Sequence, residues 1–301
     1  LLARIDRLIT FMKIITDPHC VEYSAEGHLE TPRRVSGTVK LLLKHQLDRG
    51  GDLFHWGAPA PVAEAQLLRA HTPEMLKRLE EARDFDEDTP AFPGIAGFAR
   101  RSAGAAVAAL DSTLAGETGF SLMRPPGHHA SRSASMGYCY LNNMGIAVLE
   151  ARARGVERVA VFDFDVHHGN GTEDILLNES GVCFASVHEK GYPYTGDEDR
   201  GGNCYNFAAL PKSSRESYRG LLEQAMVRLK AFKPALLGVS AGFDAYREDT
   251  LSEQELEVED YHWLGQSVRE FQIPVFILLE GGYTERLPEL VLAFLQGVEG
   301  E

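Results

Sequence analysis

The sequence predicts an α/β domain in which helices cover both faces of a parallel β-sheet. Three observations carry this reading. Short apolar runs alternate with longer segments of helical periodicity. The runs stay apolar at consecutive positions, as in RVAVFDF (158–164) and PVFILL (274–279), which marks strands buried on both faces. No Pro/Ser-rich linker, internal repeat or composition break divides the chain.

In chain order, strands are expected at KIIT (13–16), GFSLM (119–123), RVAVFDF (158–164), VCFASV (182–187), ALLGVS (235–240) and PVFILL (274–279). Helical patterns occupy 32–46, 97–114, 142–153, 214–232, 258–271 and 287–295. With 301 residues, 44% of them hydrophobic, there is material for one large core, and residues 12–301 read as a single domain. Residues 1–11 read as an extension or tag. Charges interrupt their apolar positions, unlike a signal peptide, and the first strand signal starts just after Met12.

Composition narrows the function. A net charge of −14 disfavours nucleic acid as a partner, because phosphates call for a basic face. It is compatible with a cationic substrate, although ordinary solubility explains it more simply. The longest apolar runs are too short to span a bilayer, so no membrane partner is expected. Cys20, Cys139, Cys183 and Cys204 are scattered with no C-x-x-C spacing, which suggests reduced, buried thiols and a cytoplasmic protein.

In a parallel sheet, ligands bind beyond the carboxyl ends of the strands, so the residues after each strand matter most. After RVAVF comes DFDVHHGNG (163–171). If extended geometry runs on to His167, its period of two puts Asp163, Asp165 and His167 on one side and Phe162, Phe164 and Val166 on the other. Two carboxylates and an imidazole so placed call for a cation. After GFSLM comes RPPGHH (124–129), whose Pro-Pro-Gly turn would let His128 and His129 face one site. After ALLGVS comes AGFDAYRED (241–249), carrying Asp244, and after PVFILL comes EGGY (280–283), carrying Tyr283.

Taken singly, each of these residues has a plainer role: Asp244 in a loop turn, Tyr283 at a core edge, a histidine in a structural hydrogen bond. Their convergence on four strand ends argues for a site. Asp165, His167 and Asp244 would make a three-ligand metal site with an open position, the mark of a catalytic centre. One of the tandem histidines would carry the proton between water and a leaving amine, with Asp163 and Asn170 as candidates to orient the imidazoles. Tyr283 follows two glycines, which would let its hydroxyl reach a developing oxyanion. The reaction class that fits is metal-assisted hydrolysis of an amide.

RPPGHH, GYCYLNN (137–143), DFDVHHGNGT, SVHE (186–189), SAGFDAYRED and LEGGY, in this order, resemble the histone deacetylase superfamily, which also holds acetylpolyamine amidohydrolases. The resemblance covers nearly the whole chain from Met12 on. It implies an arginase/deacetylase fold, a parallel sheet of about eight strands with helices on both faces. It implies zinc on Asp165, His167 and Asp244, a ligand set that also suits iron(II) or cobalt. A structural potassium ion would use Asp163, Asp165, His167 and Ser186, with backbone oxygens that include Val187. His128 and His129 become the catalytic histidines, the second as general base and acid, backed by Asp163 and Asn170 respectively, and Tyr283 becomes the catalytic tyrosine.

The same resemblance implies substrate contacts. Tyr138 and Tyr192 stand where two phenylalanines usually wall the acyl-lysine tunnel, beside Gly137, and their added hydroxyls bear on acyl-chain preference. Leu251 matches a gatekeeper position, Asp88 a rim aspartate that holds the substrate backbone, and Arg34 the arginine of an internal acetate channel. Asn170 stands where class I members carry Asp and class II-like members Asn. The expected function is therefore a zinc-dependent, class II-like deacetylase acting on acylated lysine in a peptide or protein. Glu248, Asp249 and the DEDT loop leave room for an acetylpolyamine or other small amide instead. A dimanganese ureohydrolase would need a second metal site. A non-catalytic acyl-lysine binder would need a lost ligand or a lost tyrosine, and none is lost. Oligomeric state stays open.

Overall fold

The computed structural model describes residues 11–51 and 53–301. Residues 1–10, most of the expected extension, lie outside the described residues. The strands are β1 (Met12–Ile15), β2 (Phe54–Gly57), β3 (Thr118–Ser121), β4 (Val159–Asp163), β5 (Val182–Glu189), β6 (Cys204–Ala209), β7 (Leu236–Ala241) and β8 (Val275–Leu279). They form one eight-stranded sheet in the order β2-β1-β3-β8-β7-β4-β5-β6, parallel throughout.

The strands expected from sequence are the interior ones, β1, β3, β8, β7, β4 and β5. Every residue of β4, β7 and β8 is buried, as continuous apolar runs require. The two strands not expected, β2 (FHWG) and β6 (CYNFAA), are the sheet's edges. An edge strand is half solvated, so its sequence carries no continuous apolar run.

Between the strands lie α1 (Arg33–Asp48), α2 (Glu64–Ala70), α3 (Pro73–Leu79), α4 (Ile95–Leu114), α5 (Asn143–Ala153), α6 (Asn170–Leu176), α7 (Arg215–Ala231), α8 (Val258–Arg269) and α9 (Leu287–Glu299). The six longer helices match the expected segments. The seven-residue helices α2, α3 and α6 are too short to show a helical period and were not expected. No helix among the described residues is long and apolar enough to cross a membrane. All four cysteines are buried and unpaired.

Strand order decides where a site can form. The chain leaves β4 toward β5 but leaves β7 toward β8, in opposite directions along the sheet. Neighbouring strands whose connections diverge open a crevice at their carboxyl ends. β4 and β7 are such a pair, and β8 and β3 follow next along the sheet. DFDVHH, AGFD, EGGY and PPGHH therefore leave adjacent strands in one row.

A buried ionic knot ties the segment before α1 to the end of β3. Arg124 is fully buried and grips Glu30 twice, Nε on Oε1 at 2.6 Å and Nη2 on Oε2 at 2.8 Å. Arg34 donates to the same Oε1 at 2.9 Å, and the Tyr23 hydroxyl donates to Oε2 at 2.9 Å. Burial alone would raise the Glu30 carboxyl, but Arg124 and Arg34 outweigh it and hold it below the usual carboxylate range. Replacing Glu30 by Gln would strand two buried guanidinium groups, at a cost of about 3–5 kcal/mol. A depressed carboxyl contributes stability above its unfolded value and loses it as pH falls through its folded value. Denaturant unfolding of Glu30→Gln is therefore expected to show that loss at neutral pH, with the gap to the unaltered protein narrowing in acid.

Candidate active site

β4 ends at Asp163 rather than running extended to His167. Two successive side-chain turns replace the expected strand. The Asp165 N–H donates to Asp163 Oδ1 at 3.2 Å, and the His167 N–H donates to Asp165 Oδ1 at 3.0 Å. Phe162, Phe164 and Val166 still go into the core. Asp163 faces His128, Asp165 meets Gly281 in the loop after β8, and His167 faces Asp244 in the loop after β7.

There Asp165, His167 and Asp244 bring one donor atom each to within 4.8 Å of one another. His167 Nδ1 lies 3.2 Å from Asp165 Oδ1 and 3.2 Å from Asp244 Oδ2. The remaining carboxylate oxygens accept backbone donors from the neighbouring loops. Gly281 N–H reaches Asp165 Oδ2 at 2.7 Å, and Val166 N–H reaches Asp244 Oδ1 at 2.8 Å. Gly281 has to be glycine, because a Cβ there would sit 2.2 Å from Asp244 Oδ2.

The electrostatics are those of a site built for a cation. Both carboxylates are fully buried. Burial and the neighbouring Asp165 push the Asp244 carboxyl up to about 7. Burial lowers the His167 imidazole, but its bonds to Asp165 and Asp244 win and hold it well above its ordinary value. One imidazole thus serves two carboxylates, and a divalent ion on the same atoms would relieve the excess negative charge. One nitrogen and two oxygen donors suit zinc and its neighbours.

The tandem histidines lie alongside, with ring centroids 4.0 Å apart. Glu280 holds their turn, its Oε2 accepting the N–H of Gly127 at 2.7 Å and of His128 at 3.1 Å. His128 Nδ1 meets Asp163 Oδ2 at 3.2 Å. Burial lowers the His128 imidazole, but Asp165 and Asp163 outweigh it and raise it to about 10. His129 behaves oppositely: burial, then the adjoining His128 and His167, hold it well below its ordinary value. Its Nδ1 meets Asn170 Oδ1 at 2.7 Å, and Asn170 Nδ2 donates to the Met136 sulfur at 3.4 Å. Met136 thereby fixes which way the amide points, so Nδ1 carries the proton and Nε2 is left free.

A cavity of about 170 Å³ opens on this group, lined by Tyr138, Tyr192, Gly137, Asp88 and Leu251 together with His129, His167 and Tyr283. Tyr192 stands edge-on to His129, with ring centroids 5.5 Å apart, and Tyr138 edge-on to Tyr283 at 5.6 Å. Gly137 and Tyr138 both adopt left-handed backbone, φ +57° and +65°. Asp86 Oδ2 and the Thr89 hydroxyl accept their N–H groups at 3.3 and 3.0 Å.

Other expected residues lie around this cavity. Arg34, expected at an internal channel, is buried and is not part of the cavity lining. Its nitrogens already donate to Glu30, the Gly282 carbonyl and the Glu280 carbonyl, and its guanidinium packs 5.0 Å from the Tyr283 ring. Asp249, read as a rim charge, points inward onto backbone donors. Ser186 pairs in register with Asp163 on β5, and its hydroxyl meets His188 Nδ1 at 2.9 Å. Met136, Glu280, Asp86 and Asp249 were not singled out for these contacts, because no local pattern marks a side chain that acts on another loop. A second group of possible donors, His128, Cys139 and Glu280, shares the interior. Glu280 already accepts the N–H groups of Gly127 and His128 on Oε2 and the Ser240 hydroxyl on Oε1, and burial keeps the Cys139 thiol protonated, so this group makes a poor second site for a hard metal.

Residues 28–298 match the histone deacetylase domain. The chain belongs to that family. A histone deacetylase-like amidohydrolase of Pseudomonas aeruginosa is 37% identical over 303 residues, covering 92% of this chain and 78% of that protein. The solved HD domain of HDA15 superposes with a TM-score of 0.90 at 28% identity, covering 98% of this chain and 89% of that one. An acetylpolyamine aminohydrolase of Burkholderia pseudomallei superposes at 0.82 with 26% identity, covering 95% and 98%. The deacetylase fold expected from the motifs is the fold present, and the chain is a hydrolase of the deacetylase/amidohydrolase group.

In the cavity wall, Gly137 has no room for a side chain. A Cβ there would lie 2.6 Å from His129 Cδ2 and 3.0 Å from the Tyr192 hydroxyl, on a left-handed backbone. Gly137→Ala is expected to fold with about 1–3 kcal/mol less stability and to lose about tenfold or more in kcat/KM as His129 is displaced. Thermal unfolding and steady-state kinetics on one preparation check both.

Proposed function

We propose that this chain is a zinc-dependent deacetylase that hydrolyses the acetyl amide of an acylated lysine in a peptide or protein. The observation that carries this is the grouping of Asp165, His167 and Asp244 at a cavity that His167 lines together with His129 and Tyr283. Asp165, His167 and Asp244 would hold the ion, which when bound polarises the amide carbonyl and acidifies water. A potassium ion beside Asp163 and Ser186 would have a structural role.

The chain's own residues do the rest. His129, with Nδ1–H held by Asn170, presents Nε2 as the base that takes a proton from the attacking water. His128, oriented by the contact of its Nδ1 with Asp163, sets a second imidazole beside His129 at the reacting centre. Burial keeps the Tyr283 phenol protonated, with its pKa well above the usual value, so it donates a hydrogen bond to the oxyanion. The proton held by His129 then passes to the leaving amine, and acetate departs. Tyr138 and Tyr192 flank the alkyl stem of the substrate and exclude water.

The same chemistry serves an acetylated polyamine, and Asp88 at the cavity favours that cationic class. Leu251 lines the same cavity without a charge and favours acyl-lysine. The deciding measurement is kcat/KM for an acetyl-lysine peptide against an acetylated diamine on zinc-reconstituted enzyme. We expect the peptide to be preferred, and preference for the diamine would install the second reading. Chelation should abolish turnover and zinc restore it. Tyr283→Phe should lower kcat by about 10²–10³ with zinc content unchanged, and full turnover in that variant would remove Tyr283 from its role.

A further inference from the structure

Asp249 lies in the loop after β7, which also carries Asp244 and Leu251. In sequence it belongs to a charged stretch, REDT (247–250), whose acids leave room for a cationic substrate. In the fold it is only 7% exposed. Its Oδ2 accepts the backbone N–H of Tyr283 at 2.6 Å and of Thr284 at 3.1 Å. Its Oδ1 accepts the N–H of Leu251 at 3.1 Å. One carboxylate therefore joins the loop after β7 to the loop after β8.

Tyr283 needs such a clamp. It follows Gly281 and Gly282, and Gly282 turns through φ +112°, so the chain before it has little stiffness of its own. The residues leading up to it are tethered one by one. Glu280 N–H bonds the Ala241 carbonyl, Gly281 N–H bonds Asp165, and the Gly282 carbonyl accepts Arg34. At Tyr283 and Thr284 the tether is Asp249. The phenol is a long lever on this backbone, with its ring against Tyr138 and Arg34.

We propose that Asp249 is the positioning residue for Tyr283. Its carboxylate fixes the backbone that aims the phenol hydroxyl, and its bond to Leu251 ties that aim to a residue lining the cavity. This rests on the reading of Tyr283 as the oxyanion donor. Charge-assisted bonds to backbone N–H groups are strong enough for the task, and a misplacement of about 1 Å at a reacting centre costs about 10²-fold.

The test is a double-mutant cycle on zinc-loaded enzyme with an acetyl-lysine peptide, using Asp249→Asn, Tyr283→Phe and the pair. The amide keeps the shape of the carboxylate but turns an NH₂ toward at least one of the three N–H donors. Asp249→Asn is expected to lower kcat about 10- to 100-fold with KM changed by less than about threefold, and to add less than about twofold in the Tyr283→Phe background. Equal losses in both backgrounds, or no loss in the single variant, would overturn the proposal. Full turnover in Tyr283→Phe alone would instead sink the underlying reading of the tyrosine, so the two failures are distinct. Should Asp249→Asn unfold below the assay temperature, Asp249→Glu, which keeps the charge one methylene displaced, completes the same cycle, with the same outcomes deciding.

Discussion

Asp165 and Asp244 are both fully buried with one imidazole between them, and the repulsion of these two carboxylates constrains everything around them. Two anions out of water cost several kcal/mol each unless their lone pairs are met. The fold meets them with His167 and with the N–H groups of Gly281 and Val166. Those donors come from the loops after β8 and β4, so the loop after β8 must stay within hydrogen-bond reach of the loop after β4, and the loop after β4 within reach of the loop after β7. The divergence of the chain at β4 and β7 leaves the space, and the run of β8, β7 and β4 along the sheet brings the donors into reach. The charge that remains is what a divalent ion would neutralise.

Carboxylates meeting backbone donors of other loops is a repeated device here. Glu280, after β8, holds the turn at Gly127 and His128 after β3. Asp165, after β4, holds Gly281 after β8. Asp86 holds Gly137, and Asp249 holds Tyr283. Loops have no ladder of their own, so a charged acceptor that spans two of them does the work of secondary structure. A net charge of −14 therefore misleads when read as surface alone, because several of these acids face inward and stiffen the site.

That inward use of charge marks the limit of what the sequence disclosed. The six interior strands were legible because burial on two faces demands unbroken apolar runs, and the edges β2 and β6 were not because water takes one side of them. The metal-type residues were legible because parallel topology places chemistry after strands, and DFDVHH, AGFD and EGGY each follow one. The path of the chain through them was not. A strand continued to His167 and the observed turns both bury Phe162, Phe164 and Val166, and the Asp163 and Asp165 side-chain bonds decide between them. Asp249 and Met136 were illegible for a related reason. Each acts on a partner more than thirty residues away, Tyr283 and Asn170, and no local pattern encodes that.

The position of the specificity elements follows from the same geometry. An acetylated lysine and an acetylated diamine present the same amide on a similar alkyl stem, so His129, Tyr283, Tyr138 and Tyr192 meet near-identical atoms in either proposed substrate. The two differ only beyond the stem, where the cavity offers Asp88 and Leu251. Asp88 is exposed, and an exposed charge pair is worth about 1 kcal/mol at most, a factor of about five. Discrimination larger than that has to come from shape at the mouth. Leu251 stands there, and its N–H is fixed by the same carboxylate that fixes the backbone of Tyr283. One carboxylate thus joins the backbone of the proposed oxyanion donor to the backbone of a residue that lines the cavity.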